Sequence, residues 1–351
     1  MIYSLQLLRF VAAFMILMAH IILFSNDKYG FNGEFLMPLT DILMIGVDIF
    51  FIISGFIMYH TSYSLSPQMS APRSKEFLIK RFIRIYPVYW LLCIALLPII
   101  FFMPSWINSG SDIPPSLLHS FLLLPHESVP LLMVAWTLEF EMFFYVCFGL
   151  TLLLGRQKQF IFLSAVFIAL AVIGLSFPDL SKQSATLEMI TSSMILYFPV
   201  GMMIAVLFNK IKESSILLII LFLIAWAASI FMAYNIKLGS MDRFLHFGIP
   251  AILSVLLFLS VERFVTKEKL KSFCLWGGNI SYSLYLVHIL VISVVGKIWL
   301  FLKPQTSNLP IEIMLTLMII GSLVAATILY YGFEKPISKF LKKRLLPRHE
   351  K

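Results

Sequence analysis

The chain has 351 residues, of which 60% are apolar and only 13% charged, with a mean hydropathy of +0.93. That balance excludes a soluble globular domain, and it makes length a count of membrane spans rather than of soluble domains. The net charge of +9 follows the loops, as shown below, and so reports topology more than an anionic partner.

A bilayer core of about 30 Å takes roughly 20 apolar residues per helix. In chain order such runs are Leu5 to Phe24, Leu39 to Tyr59, Ile85 to Met103, Trp136 to Leu154, Phe160 to Phe177, Met189 to Phe208, Ser214 to Tyr234, Phe244 to Val261, Ile280 to Leu302 and Ile311 to Phe333. The fold class is therefore an all-α integral membrane protein of about ten transmembrane helices. One further apolar stretch, Ser116 to Leu124, is too short to cross and carries His119, so it is expected to be re-entrant or interfacial. Counting it as a span would reverse every later loop. Without it, and with a cytoplasmic N-terminus, 20 loop and tail Lys/Arg fall on the cytoplasmic side against five outside (Lys28, Lys182, Lys237, Arg243 and Lys303). Both termini are then cytoplasmic. The first run has its only basic residue, Arg9, inside the apolar stretch and no small-residue cleavage site after it, so it is read as a retained span rather than a leader. Cys93, Cys147 and Cys274 stand singly, without metal-site or disulfide spacing.

Ionisable residues inside a bilayer cost about 2.5–3.5 kcal/mol each to insert, so those present face the interior and mark sites. Arg9 and His20 are eleven residues apart, about three helical turns, which puts them on one face roughly 16 Å apart in depth. Asp48 falls in the middle of the second run, in Gly46-Val47-Asp48-Ile49-Phe50-Phe51-Ile52-Ile53-Ser54-Gly55-Phe56, where Gly46 and Gly55 permit close helix contact. The third run opens on Lys80-Arg81-Phe82-Ile83-Arg84-Ile85-Tyr86-Pro87, and Arg81 and Arg84, three apart, suit bidentate phosphate recognition as well as orientation. The fourth begins Trp136-Thr137-Leu138-Glu139-Phe140-Glu141. Its Glu141 and the His20 of the first helix lie at about 8 and 6 Å from the outer ends of their runs, a matched depth that suits a base and its orienting carboxylate. The ninth carries Tyr282, His288 and Lys297. A lone histidine such as His288 in an apolar helix is most often a packing residue with a satisfied hydrogen bond.

Taken in order, Arg9 with His20, the Gly46 to Phe56 segment, Arg81-Phe82-Ile83-Arg84-Ile85-Tyr86-Pro87, Trp136-Thr137-Leu138 through Glu141 to Tyr145, the Ser281-Tyr282 to His288 segment and Glu334-Lys335-Pro336 resemble the acyltransferase type 3 family of bacterial membrane O-acyltransferases, especially short members that acetylate exopolysaccharide. The resemblance covers nearly the whole chain. It implies a single transmembrane acyltransferase domain over 1–351 without the soluble C-terminal domain of some relatives. It also implies acyl-CoA, acetyl-CoA in particular, as donor substrate, a carbohydrate or lipid-linked glycan acceptor beyond the bacterial inner membrane, and functional roles for Arg9, His20 and the motif ending in Arg84. Two positions depart from the pattern: Lys80 opens a motif that often starts with arginine, and Glu139 adds a second acid beside Glu141. The expected mechanism holds the CoA phosphates on Arg81, Arg84 and Arg9 and has His20, oriented by Glu141, deprotonate a sugar hydroxyl. Asp48, Trp136, Tyr282 and His288 serve substrate or structure, and no metal is expected. Direct transfer is favoured over a cysteine-linked intermediate, an acyl-histidine route stays open, and a transporter of polysaccharide or lipid-linked sugar is the rival of a different class.

Overall fold

The computed structural model describes residues 1–64, 71–102, 113–208, 216–235, 242–302 and 310–346. The loop cations Lys210, Lys212, Lys237, Lys303, Arg348 and Lys351 and the expected span ends Met103 and Ser214 lie outside the described residues, as does the side chain of Arg243. The chain forms α1 (Tyr3–Lys28), α2 (Met37–Leu43), α3 (Ile45–Ser64), α4 (Ala71–Phe102), α5 (Leu117–Leu122), α6 (Trp136–Thr151), α7 (Arg156–Ser176), α8 (Pro178–Ser181), α9 (Ala185–Thr191), α10 (Tyr197–Leu207), α11 (Ile216–Asn235), α12 (Asp242–Ser260), α13 (Glu268–Leu302), α14 (Ile311–Leu329) and α15 (Lys335–Leu345). Among the described residues nine helices are long and apolar enough to cross a membrane, and the shorter apolar helix His246–Ser260 answers to the tenth expected run. The protein is an all-α multi-pass membrane protein.

Several boundaries differ from the sequence reading. α4 begins at Ala71, so the basic motif sits inside a 32-residue helix that runs on through Pro87 and Pro98, instead of opening it. Asp48 lies in the first turn of α3, after a break at Met44, rather than in mid-helix. There the positive end of the helix dipole favours a carboxylate, which helps a fully buried aspartate to persist. α13 starts twelve residues before Ile280 and is 35 residues long. Past α14 a π-helical turn, Tyr330–Glu334, leads into α15, which the apolar-run criterion passes over because its sequence, KPISKFLKKRL, is largely cationic.

The chain divides into two compact units, Met1–Ile53 with Val206–Tyr330, and Ser54–Ala205 with Tyr331–Lys351. In the first, α1 packs against α13, and α13 against α14, around a core that includes Ala13, Leu17, Ile21, Ile280, Leu284, Ile292, Met314 and Met318. α1 and α13 run parallel: Phe10 meets Gly277, His20 meets His288, and Tyr29 meets Gly296. The glycines set the spacing. A Cβ on Gly277 would lie 2.8 Å from Cγ of Phe10, and one on Gly278 would lie 2.9 Å from Cα of Gln6, so a larger residue at either position forces the helices apart. Gly46 likewise permits the approach to α1 that its sequence context suggests, since its Cβ would come 3.2 Å from the carbonyl carbon of Ala12.

The N-terminus of α1 needs an outside partner because Ile2, at its N-cap position, has no capping side chain. Glu262 supplies it, accepting from the backbone N–H of Tyr3 at 2.9 Å and of Ser4 at 2.6 Å. A carboxylate there satisfies two orphan donors and faces the positive end of the dipole. Glu262→Ala is expected to cost about 1–2 kcal/mol, by the scale of lost caps, and thermal unfolding of the purified protein in detergent should show a lowered Tm with Glu262→Gln intermediate. An unchanged Tm in both would leave the contact without energetic weight.

In the second unit the core stacks Phe144 on Phe198 with ring centroids 4.3 Å apart. Gly55 brings α3 against the α10 backbone, its Cβ position lying 2.9 Å from the carbonyl carbon of Phe198. The stretch expected to be re-entrant or interfacial contains the six-residue α5. Its terminal carbonyls are taken up by α4: Tyr89 donates to Ser120 O at 2.6 Å, Trp90 to Phe121 O at 2.8 Å and Tyr86 to Leu122 O at 2.9 Å. Leu123, which follows, is in the left-handed region with φ of 54°, and that turn ends the helix. Three side-chain donors therefore do for α5 what further helical turns would otherwise do.

Candidate active site

In the first unit α1 and α13 bring two histidines together. His20 is 7% and His288 0% exposed, their ring centroids lie 5.1 Å apart, and Nε2 of His288 stands 3.2 Å from Nδ1 of His20. Each ring also reaches one turn back along its own helix. Nδ1 of His20 lies 2.9 Å from the Ile16 carbonyl oxygen, and Nδ1 of His288 lies 3.0 Å from that of Leu284. A carbonyl oxygen only accepts, so these contacts assign the proton to Nδ1 in both rings. Nε2 of neutral His20 is then a lone-pair nitrogen with no hydrogen-bond partner among the described residues. Such an atom can take a proton from a hydroxyl.

On the same helix Arg9 donates to Oε1 of Gln6 at 3.0 Å, and Gln6 is the residue that Gly278 accommodates. Tyr285 faces both Phe50 and His288, at centroid distances of 6.1 Å each, and Tyr282 is buried in the same stretch of α13. Asp48 is also buried in this unit.

The second unit holds the remaining expected residues. Glu141 accepts from Ser54 Oγ at 2.9 Å and from the Tyr145 hydroxyl. Within its own unit the carboxylate is engaged by Ser54 and Tyr145, as His20 within its unit is held by Ile16 and His288. Arg81 lies over the rings of Phe77 at 5.3 Å and Tyr145 at 5.6 Å, within electrostatic reach of Glu141. Its Nε is buried without a hydrogen-bond partner among the described residues. Aromatic faces hold a guanidinium in place while its edge is left for an acceptor. The neighbouring cations are engaged differently: Lys80 pairs with Glu76 at 2.6 Å, one turn away, and Arg84 pairs with Glu334 at the start of α15. Trp136 opens α6 with its ring edge-on to Phe140, and Glu139 follows in the first turn, half-buried. Among the described residues no three His, Cys, Asp or Glu converge as a metal site would need.

Sequence reasoning singles out Arg9, His20 and the basic motif as candidates; it does not reach the contact of His20 with His288, the Ser54 and Tyr145 contacts of Glu141, or the Glu334 contact of Arg84. The only sequence signal for the histidine pair is that His288 follows Gly277 by the same eleven residues that separate Arg9 and His20.

The apolar helices define a multi-pass membrane protein, and comparison with known proteins gives its class as acyltransferase. Residues 2–331 match the acyltransferase type 3 family, described as an acyltransferase domain, and the chain belongs to that family. It is 31% identical over 268 residues, 72% of this chain and 77% of the relative, to the exopolysaccharide production protein ExoZ of Rhizobium meliloti (strain 1021). No solved structure matches the chain. Membership decides for an enzyme over a transporter.

Proposed function

We propose that this acyltransferase moves an acyl group, acetyl in the simplest case, from cytoplasmic acyl-CoA to a hydroxyl of an extracytoplasmic carbohydrate, an exopolysaccharide or its lipid-linked precursor. It does so in a bacterial inner membrane with both termini cytoplasmic. The observation that carries the reading is the Nε2 of His20, a lone-pair nitrogen left available inside an apolar bundle. The name of the similar protein, exopolysaccharide production protein, supports a polysaccharide acceptor.

In this reading the acceptor hydroxyl gives its proton to Nε2 of His20 as its oxygen attacks the thioester carbonyl carbon. The new C–O bond forms, the C–S bond breaks, and the proton passes from His20 to the departing sulfur, so that ester and free CoA thiol leave in balance. Arg81, clamped between Phe77 and Tyr145, offers a guanidinium edge to the donor's phosphates, and Arg84, one turn along α4, adds charge. Glu141 serves Arg81 through Tyr145.

The test is direct: purified protein, acetyl-CoA and an exopolysaccharide oligosaccharide should yield a base-labile acetyl ester detected by mass spectrometry. Transfer to none of a panel of polymer and lipid-linked acceptors would overturn the assignment. Arg84→Lys keeps the charge and removes the planar fork, so the KM for acetyl-CoA should rise by about tenfold, the scale of one charge-assisted hydrogen bond. An unchanged KM would leave Arg84 as the residue that ties α15 to α4 through Glu334.

A further inference from the structure

The contact between Nδ1 of His20 and Nε2 of His288, at 3.2 Å, asks more of His288 than packing. His288 is fully buried, and the Leu284 carbonyl already takes its Nδ1 proton. Its Nε2 is therefore an acceptor aimed at His20. Were His20 to carry its proton on Nε2 instead, the bare Nδ1 would face two electron-rich atoms at once, the Ile16 oxygen at 2.9 Å and the His288 nitrogen at 3.2 Å. That arrangement is repulsive on both sides, so the tautomer is set by two acceptors rather than one.

We infer that His288 is a positioning residue for His20, fixing the tautomer that leaves Nε2 of His20 as the base and accepting the Nδ1–H of His20 once the ring is charged. The inference rests on the reading of His20 as base. Before proton uptake the Nδ1–H is shared between Ile16 O and His288 Nε2. After it the same hydrogen bond becomes charge-assisted, which shortens and strengthens it where the apolar bundle offers little else to solvate an imidazolium. No proton need leave His20 toward His288. The glycines of α13 belong to the same device, since Gly277 and Gly278 allow α13 close enough to α1 for the two rings to meet.

The test uses the full-length purified protein at matched folded concentration. His288→Phe keeps a ring of similar size and removes the acceptor; His288→Gln returns an amide oxygen at about the position of Nε2. His288→Phe should lower kcat on the order of 10- to 100-fold, the cost of losing a histidine's orienting partner, with KM for both substrates unchanged, and His288→Gln should recover most of the loss. Nitrogen NMR of the imidazoles, with the His20 signal identified by its disappearance in His20→Gln, should show His20 as the Nδ1–H tautomer in the wild type and as a mixture in His288→Phe. A wild-type kcat for His288→Phe overturns the inference, as does equal loss in both variants with the tautomer unchanged. Should His288→Phe fail to fold, a wild-type His20 found with its proton on Nε2 overturns it alone. Undiminished turnover by His20→Ala would instead remove the base reading itself, whatever the His288 variants do.

Discussion

Replacing His20 with alanine is expected to cut acyl transfer by about 10²- to 10⁴-fold, the usual contribution of a positioned general base, while the protein accumulates in the membrane at its normal level. The small effect on abundance follows from where the ring sits. His20 is bonded to a carbonyl of its own helix and to a single side chain across the bundle, and the core around it is built from Ala13, Leu17, Ile21 and Leu284. A packing histidine would show the opposite pattern, with yield falling and turnover per folded molecule holding. Turnover measured on purified variants, normalised to folded protein, separates the two, and near-normal turnover would sink the assignment. Glu141→Gln belongs in the same series. Through Tyr145 and Ser54 its carboxylate acts on the surroundings of Arg81, so its loss should appear mainly in the KM for acyl-CoA. A kcat loss that vanishes in the His20→Ala background would instead make the two residues one catalytic unit.

Gly278→Leu should be damaging in a different way. The new Cβ would meet the α1 backbone at Gln6 Cα, 2.9 Å away, and a backbone atom cannot rotate aside as a side-chain end can. Overpacking of this kind costs about 1–3 kcal/mol, so detergent-solubilised protein should unfold at lower temperature. The surviving folded fraction should also be slow, because moving α13 away from α1 lengthens the His20–His288 contact and disturbs Gln6, the hydrogen-bond partner of Arg9. Gly278→Ala should show both effects in weaker form. A leucine variant with wild-type melting and turnover would mean that the helices tolerate a wider spacing than the structure shows.

Much of this was readable without coordinates. Apolar runs locate the spans because the bilayer demands them, the face shared by Arg9 and His20 follows from helical period, and Gly46 and Gly55 announce close contacts that the structure contains. Side-chain partners were less legible. The residue that meets His20 is 268 positions away in sequence, beyond the reach of helical periodicity. Helix starts were misjudged where polarity and helicity part company: Ala71 to Arg84 and Lys335 to Leu345 are helical but too charged to register as apolar runs. The Ser116 to Leu124 segment is legible as too short to cross, but what ends α5 is seen only in the side chains of Tyr86, Tyr89 and Trp90 that take up its carbonyls.

The parallel packing of α1 and α13 has a consequence for biosynthesis. Two neighbouring helices that point the same way cannot form a hairpin as they emerge, and here the partner of the first helix is among the last to be translated. Until α13 leaves the ribosome, His20 has no His288 to meet and must wait in the bilayer on the face that α13 will later cover, where water is the available substitute. A nascent chain stalled before residue 268 would therefore carry an intact first helix and no assembled histidine pair, and quality-control proteases that recognise unpartnered polar residues in membrane helices would find His20 as their signal.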